Sequence, residues 1–439
     1  MFRPAESECE AVESATDSVE LDGCSRPSPP IARAAAVPIL SGTNVYGRSF
    51  WLSYLSLTSL MIAVSLMYRY ADFIKFLGGT ELELGVVVGV GMIGSLAMRL
   101  AQGVGIDRYG PRHIWLGSTA LFVASMLGHL LVSRPDGAAI YLMQVLFRTS
   151  VAGVFGAVFT FAFHQVPVAR MTEAVGTVGT ASFVGIVLGP RIGDILAAGH
   201  SRTVQRSELD WLFLVAAAFG CVSFAAAWFA TSREVRPRRR ARLPIILLLR
   251  RYHPGVLMGI GIVTGIALGM PATFLRTFAA ELQINRLAPF FTAYALTAIV
   301  TRLATRRMTE SLGIRGGILI GMILIIAGIL SYLLVSVEWQ LLIPAVLTGA
   351  GQAILYPAVV AGGSGAFPNH CRGVGTTLML ATIDAGTLIG APLVGGIVYF
   401  SKRYGLPAYP VMFLTIAVIL VASATYYAID SREPRPRDD

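Results

Sequence analysis

Arg99-Leu100-Ala101-Gln102-Gly103-Val104-Gly105-Ile106-Asp107-Arg108-Tyr109-Gly110-Pro111-Arg112 closes one apolar run and opens the next, and its skeleton returns later in the chain. Arg302-Leu303-Ala304 repeats the first three residues at an offset of 203. At that same offset Glu310 stands for Asp107, Gly313 for Gly110 and Arg315 for Arg112. A second echo matches Gly185 and Gly189 with Gly386 and Gly390 at an offset of 201. Two copies of a helix–turn–helix unit at equivalent places imply a chain built from two similar halves, with a site between them.

The runs around these motifs set the fold class. A helix needs about 20 residues to cross roughly 30 Å of hydrocarbon. Twelve segments meet that requirement, near 50–71, 83–104, 114–133, 138–163, 174–198, 209–231, 254–278, 287–305, 316–336, 339–365, 374–400 and 408–429. The sequence of 439 residues is 55% hydrophobic and only 14% charged. A soluble domain carries roughly 25% charged residues, so much of this chain must face lipid. Its 46 glycines suit helices that approach closely in a bilayer. The expected fold is an all-α membrane protein of about 12 transmembrane helices in two pseudo-symmetric six-helix bundles, at 48–231 and 254–430. A basic linker, 232–253, joins them and carries Arg233, Arg236, Arg238, Arg239, Arg240, Arg242, Arg250 and Arg251. Residues 1–47 read as a disordered tail, acidic at Glu6, Glu8, Glu10, Glu13, Asp17, Glu20 and Asp22, and 431–439 as a second tail.

Lys and Arg crowd one side: about 22 fall there against fewer than ten on the other, which places both termini in the cytoplasm. That bias accounts for the formal net charge of +10 without nucleic acid. The location implied is multi-pass in the plasma membrane, or the inner membrane of a Gram-negative cell, with the chain acting as a monomer. Cys9, Cys24, Cys221 and Cys371 are scattered, and no Cys/His cluster has metal-ligand spacing, so neither a metal nor a cofactor is expected. No phosphate-binding loop and no nucleophile–base arrangement stands out, which argues against an enzyme. Energy would come from an ion or solute gradient.

Residues 103–112 resemble the signature between spans two and three of the major facilitator superfamily: Gly, three residues, Asp, a basic residue, one residue, Gly, then two basic residues. The match departs once, at Pro111. The resemblance covers about residues 48 to 430 and implies transport of a small solute by alternating access between two rocking bundles. It assigns Gly103, Asp107, Arg108, Gly110 and Arg112, with Glu310 and Arg315 in the second half, to a latch between conformations. Arg108 and Arg112 would pair there with carboxylates. In span five, Gly185-Ile186-Val187-Leu188-Gly189-Pro190-Arg191-Ile192-Gly193, with Gly176 upstream, is similar to the family's antiporter motif, although Asp194 replaces the final Gly. That motif is commoner in exporters, and its small residues and Pro190 would bend the helix where the halves meet.

Three charges within the apolar runs are candidate proton or charge sites: Arg148, Asp194 and Asp384. A charge at the centre of a membrane helix costs at least ~2.5–3.5 kcal/mol, so it faces a partner or a cavity. Arg148 and Asp194 lie in neighbouring spans and are expected to pair if the arginine reaches outward. Asp384 sits about ten residues into span eleven, where a carboxylate can trade protons near neutral pH. Its alternative is permanent pairing with Arg302 or a hydroxyl. Arg99 and Arg302, at equivalent places, read as structural. Candidate cavity residues are Tyr54, Gln144, Arg276, Gln352 and Tyr356, with Arg276 either attracting an anion or snorkelling outward. The function expected is proton-coupled export of a small organic solute. Alternatives are proton-coupled uptake of an organic anion, or a transport-inactive receptor on the same fold.

Overall fold

The computed structural model describes residues 46–166, 170–197, 205–232, 253–305, 308–368 and 372–430. The expected tails and basic linker lie outside these residues except at their edges. So do the side chains of Gly103, Asp107 and Glu310.

Among the described residues twelve long helices follow one another, and no strand occurs. α1 (Arg48–Phe76) includes a 3-10 turn at Met67–Arg69, between Arg48–Leu66 and Tyr70–Phe76. α2 is Glu81–Tyr109, α3 Pro111–His129, α4 Ala138–Gln165, α5 Met171–Ala197 and α6 Arg206–Ala230. After the linker come α7 (Val256–Glu281), α8 (Ala288–Ala304), α9 (Met308–Ser331), α10 (Leu342–Gly365), α11 (Arg372–Arg403) and α12 (Ala408–Asp430). Ten are long and apolar enough to cross a membrane; α8 is shorter, at 17 residues, and α3 carries Arg112 and His113 in its first turn.

Local chemistry sets the boundaries. Thr80 opens α2 with a capping box: its Oγ accepts from the Glu83 N–H at 3.3 Å, and the Glu83 carboxylate accepts from the Thr80 N–H at 2.6 Å. Gly110, at φ +82°, turns the chain between α2 and α3, and Gly313, at φ +64°, does so at the equivalent place in α9. Both angles favour glycine, which is why the repeat keeps it there. Pro111 then occupies the first turn of α3, where the fixed ring suits the helix and no donor is lost. The departure from the expected basic residue is a helix-start substitution.

Packing repeats with the sequence. In the first six helices α1 packs on α5 and α6, α2 on α4, and α3 on α4 and α6. The last six follow the same scheme: α7 on α11 and α12, α8 on α10, and α9 on α10 and α12. Aromatic knots tie equivalent trios. Phe73, His129 and Phe213 join α1, α3 and α6, while Phe278, Tyr332 and Phe413 join α7, the 3-10 turn after α9, and α12. The halves meet where α2 lies along α11 and α5 along α8, two contacts that the same symmetry exchanges. Arg48 and Asp430 lie on one face of the molecule, the terminal face; the ends of α1, α5, α7 and α11 and the starts of α2 and α8 form the far face.

Glycines permit the close approaches. A Cβ on Gly189 would sit 2.7 Å from the Ile62 carbonyl oxygen of α1, and one on Gly89 would sit 2.8 Å from the Leu388 carbonyl oxygen of α11. Gly189→Val should therefore force α5 off α1, at a cost of about 1–3 kcal/mol. A lowered thermal unfolding midpoint of the purified protein is the expected result.

Candidate functional site

Charge brings the halves together at two depths. On the far face Arg69, at the 3-10 turn of α1, donates from Nη1 to Asp72 at 3.1 Å and from Nη2 to Asp194 of α5 at 3.0 Å. Its Nη2 also reaches the Asn285 carbonyl oxygen, across the boundary, at 2.8 Å. Asp72 accepts from the Nε of Arg276 on α7, at 2.8 and 2.9 Å to its two oxygens. The second oxygen of Asp194 accepts the backbone N–H groups of Leu287 and Ala288 at 2.9 and 2.8 Å, which makes it an anion at the N-terminus of α8. Nearby, Lys402 at the end of α11 bridges Glu81 at 2.7 Å and Glu281 at 3.2 Å. Two buried arginines and two carboxylates thus balance while joining α1, α5, α7 and the start of α8.

This network corrects two expectations. Asp194 pairs with Arg69, not Arg148, because its place near the end of α5 meets the end of α1, and both its oxygens are occupied. Arg276 neither snorkels nor stands free: it is buried against Asp72 and the Ile284 carbonyl oxygen. Arg69 and Asp72 were not among the expected charge sites: Arg69 falls in the last turn of the expected first span and Asp72 just beyond its end at 71. Their signal was an i,i+3 charge pair at the end of an apolar run.

The second meeting point lies near mid-span. Asp384 of α11, buried, accepts from the Nε of Arg99 on α2, from Arg99 Nη2 at 3.3 Å and from the Ser95 hydroxyl. The alternative expected for it was pairing with Arg302 or a hydroxyl; a hydroxyl, that of Ser95, does bind it, but the arginine is Arg99 of the first half and not Arg302, because α2 and α11 lie face to face. Ser95 and Arg99 were missed as partners for that reason. Arg302 packs its guanidinium 5.7 Å from the Phe183 ring centroid of α5. Arg148 lies within electrostatic reach of Asp384, Tyr68 and Tyr70, 5.1 Å from the Phe147 ring centroid, and its Nε has no hydrogen-bond partner. Tyr356 of α10 lies in reach of Arg99, Arg302 and Asp384. So one polar cluster spans α2, α4, α8, α10 and α11.

The other candidates divide. Tyr54 meets the Thr180 hydroxyl at 3.2 Å, linking α1 to α5. Gln352 holds a buried Oε1 with no partner, one turn before Tyr356. Gln144 is buried where α4 passes Gly91 of α2, a packing position. Gly185, Gly189 and Gly193 turn toward α1 within their own half, not to the junction of the halves, and Gly193 leaves room for the Arg69 side chain. Pro190 is carried inside the continuous α5. Gly176 faces open space.

Of the expected latch, Arg112 donates to the Thr231 carbonyl oxygen at 3.1 Å, and Arg315 to that of Ala428 at 2.7 Å. These are matching carbonyls at the ends of α6 and α12, where the helix dipole favours a cation. Each arginine therefore clamps its own half, in place of the carboxylate pairing expected of Arg112. Arg108 lies over the Tyr109 ring.

A family model described as Major Facilitator Superfamily matches residues 48–337 and 257–439. An uncharacterized MFS-type transporter of Burkholderia pseudomallei (strain 1106a) is 24% identical over 360 residues, covering 79% of this chain and 82% of its own. The multidrug resistance protein MdtG of Dickeya zeae (strain Ech586) is 25% identical over 348 residues, covering 73% and 79%. Among solved structures, a mutant of the nucleoside transporter NupG superposes with a TM-score of 0.72 at 12% identity, covering 87% of this chain and 99% of that one. A bacterial homolog of the human lysosomal transporter Spinster, inward-facing and occupied, gives 0.67 at 16% identity, covering 89% and 98%.

Removing one partner of a buried ion pair costs about 3–5 kcal/mol, because the other charge is left uncompensated. Arg69→Gln and Asp194→Asn should each lower the unfolding midpoint, and the double variant should lose less than the sum. Thermal denaturation of the three variants gives the coupling; strict additivity would show that the two do not act as a pair.

Proposed function

Since this chain belongs to the major facilitator superfamily, and so is a membrane transporter, we propose that it exports a small organic solute by proton-coupled alternating access, as a monomer. The bond between Asp384 and Arg99 is the observation that carries the coupling. It joins the halves near mid-span, so a proton on Asp384 weakens a contact that holds α2 to α11. The charged and hydroxyl groups facing Asp384 are Ser95 and Arg99 on α2, Arg148 on α4 and Tyr356 on α10. On the α7 side the close neighbours of α11 are Ile262, Gly265 and Ile266, which add no charge.

The far-face network supplies the opposing condition. A path from the centre to that face needs Arg69, Asp72, Asp194 and Arg276 to part, and their pairing holds it closed. The basic excess puts both termini in the cytoplasm and the far face outside. The arrangement is then the state closed to the exterior, with the bundles 48–231 and 254–430 as the moving bodies. Export is favoured by the glycine and proline pattern of α5, and by the likeness to a protein named for multidrug resistance. Asp107 and Glu310 remain the proposed latch on the terminal face.

Asp384→Asn should abolish solute-driven proton movement in proteoliposomes loaded with a pH dye. Solute-for-solute exchange should persist, because it needs no net protonation. A proton signal that survives the substitution would move the coupling site elsewhere.

A further inference from the structure

A groove of about 550 Å³ opens at the far-face end of the seam where α5 packs along α8. Arg191 and Asp194 of α5 line it from the first half, and Arg286, in the turn before α8, lines it from the second. Arg191 stands six residues before the end of α5 at Ala197, about 9 Å at 1.5 Å per residue. Both arginines are exposed, and neither has a carboxylate within bonding distance among the described residues. Asp194, the acid in the lining, already answers Arg69 and the N–H groups of Leu287 and Ala288. The wall below the arginines is apolar, with Ile195, Pro289, Ala293, Leu296 and Leu342. From Leu296 an exposed stripe continues down α8 through Val300 and Leu303, at the spacing of one helix face.

We propose that this groove binds an anionic phospholipid, its phosphate held between Arg191 and Arg286 and one acyl chain lying along α8. A guanidinium fork matches phosphate oxygens, and two forks on the rim of one groove can share a single phosphate. The arginines sit near the membrane end of their elements, where headgroups lie and basic side chains attract anionic lipid. Ile195, Leu296, Val300 and Leu303 then give the acyl chain a continuous apolar track. A zwitterionic headgroup would bring its ammonium toward two arginines and toward a carboxylate whose oxygens are both engaged. A free anion would leave the apolar wall uncovered. The two arginines come from different halves, so the bound lipid bridges them. It holds the far ends of α5 and α8 together, beside the bonds of Arg69 and Asp194.

The test titrates the full chain in dodecyl maltoside with dioctanoylphosphatidylglycerol and reads the thermal unfolding midpoint. Dioctanoylphosphatidylcholine and glycerol 3-phosphate serve as controls. The anionic lipid should raise the midpoint at concentrations where neither control does. Arg191→Gln and Arg286→Gln should each weaken its apparent affinity by about tenfold, the loss expected for a charge-assisted bond. The double variant should lose less than the product of the two, because each single change already breaks the same bridge. Without lipid both variants should unfold with the wild type, since these exposed arginines have no protein partner to lose. Arg403→Gln, which removes an exposed charge at the end of α11 outside the groove, should leave the affinity unchanged. Equal stabilisation by phosphatidylcholine would overturn the proposal by removing the headgroup's part in it. Equal stabilisation by glycerol 3-phosphate would overturn it by making a free anion the occupant. An equal loss in Arg403→Gln would reduce the effect to diffuse attraction, and lowered lipid-free midpoints would make the two arginines structural; either result sinks the site. Transport plays no part in these readouts, so their failure would leave the export reading standing.

Discussion

Charge in hydrocarbon is the constraint on which the arrangement of the helices turns. A carboxylate or guanidinium inside a span is expensive unless another charge or a set of donors answers it, and several of the answers here come from the opposite half. Arg276 of α7 needs Asp72 of α1, Asp194 of α5 needs the exposed N–H groups at the start of α8, and Asp384 of α11 needs Arg99 of α2. The first half alone would strand Arg99, and the second alone would strand Arg276 and Asp384. Charge therefore fixes which faces of the two bundles meet, a choice that apolar packing in lipid leaves nearly degenerate.

The same contacts can open. Glycine-lined seams such as α5 on α1 or α11 on α7 are steric: they hold only at close approach and carry no charge to exchange. Such seams serve rigid bodies. The junction between the halves mixes close packing of α2 on α11 with ion pairs whose partners can be replaced by a proton, water or a ligand. The charges that join the halves sit at two depths, two balanced pairs on the far face and the Asp384–Arg99 bond near mid-span.

Symmetry organises the halves without making them identical. Gly110 and Gly313 turn the chain alike, and Arg112 and Arg315 cap the last helix of their own half alike. Arg99 and Arg302 occupy equivalent places but not equivalent surroundings: one finds a carboxylate across the boundary, the other an aromatic ring. A two-fold scaffold with one-sided charge is what lets a single site differ in its two walls.

Much of the fold was legible in the residues. Twelve apolar runs and a repeat of glycines and arginines at fixed offsets determined a helical membrane protein of two similar halves, because hydrocarbon thickness and backbone satisfaction leave few alternatives. The charges at Arg148, Asp194 and Asp384 stood out for the same reason. Their partners did not. Arg69 and Asp194 are 125 residues apart and Arg99 and Asp384 are 285 apart, separations that no local pattern encodes. Helical rotation decides them: the face of α2 that meets α11, and of α5 that meets α1 and α8, follows from how all the spans pack together. Composition and periodicity determined what this protein is built from; only the tertiary structure decided which charges answer one another.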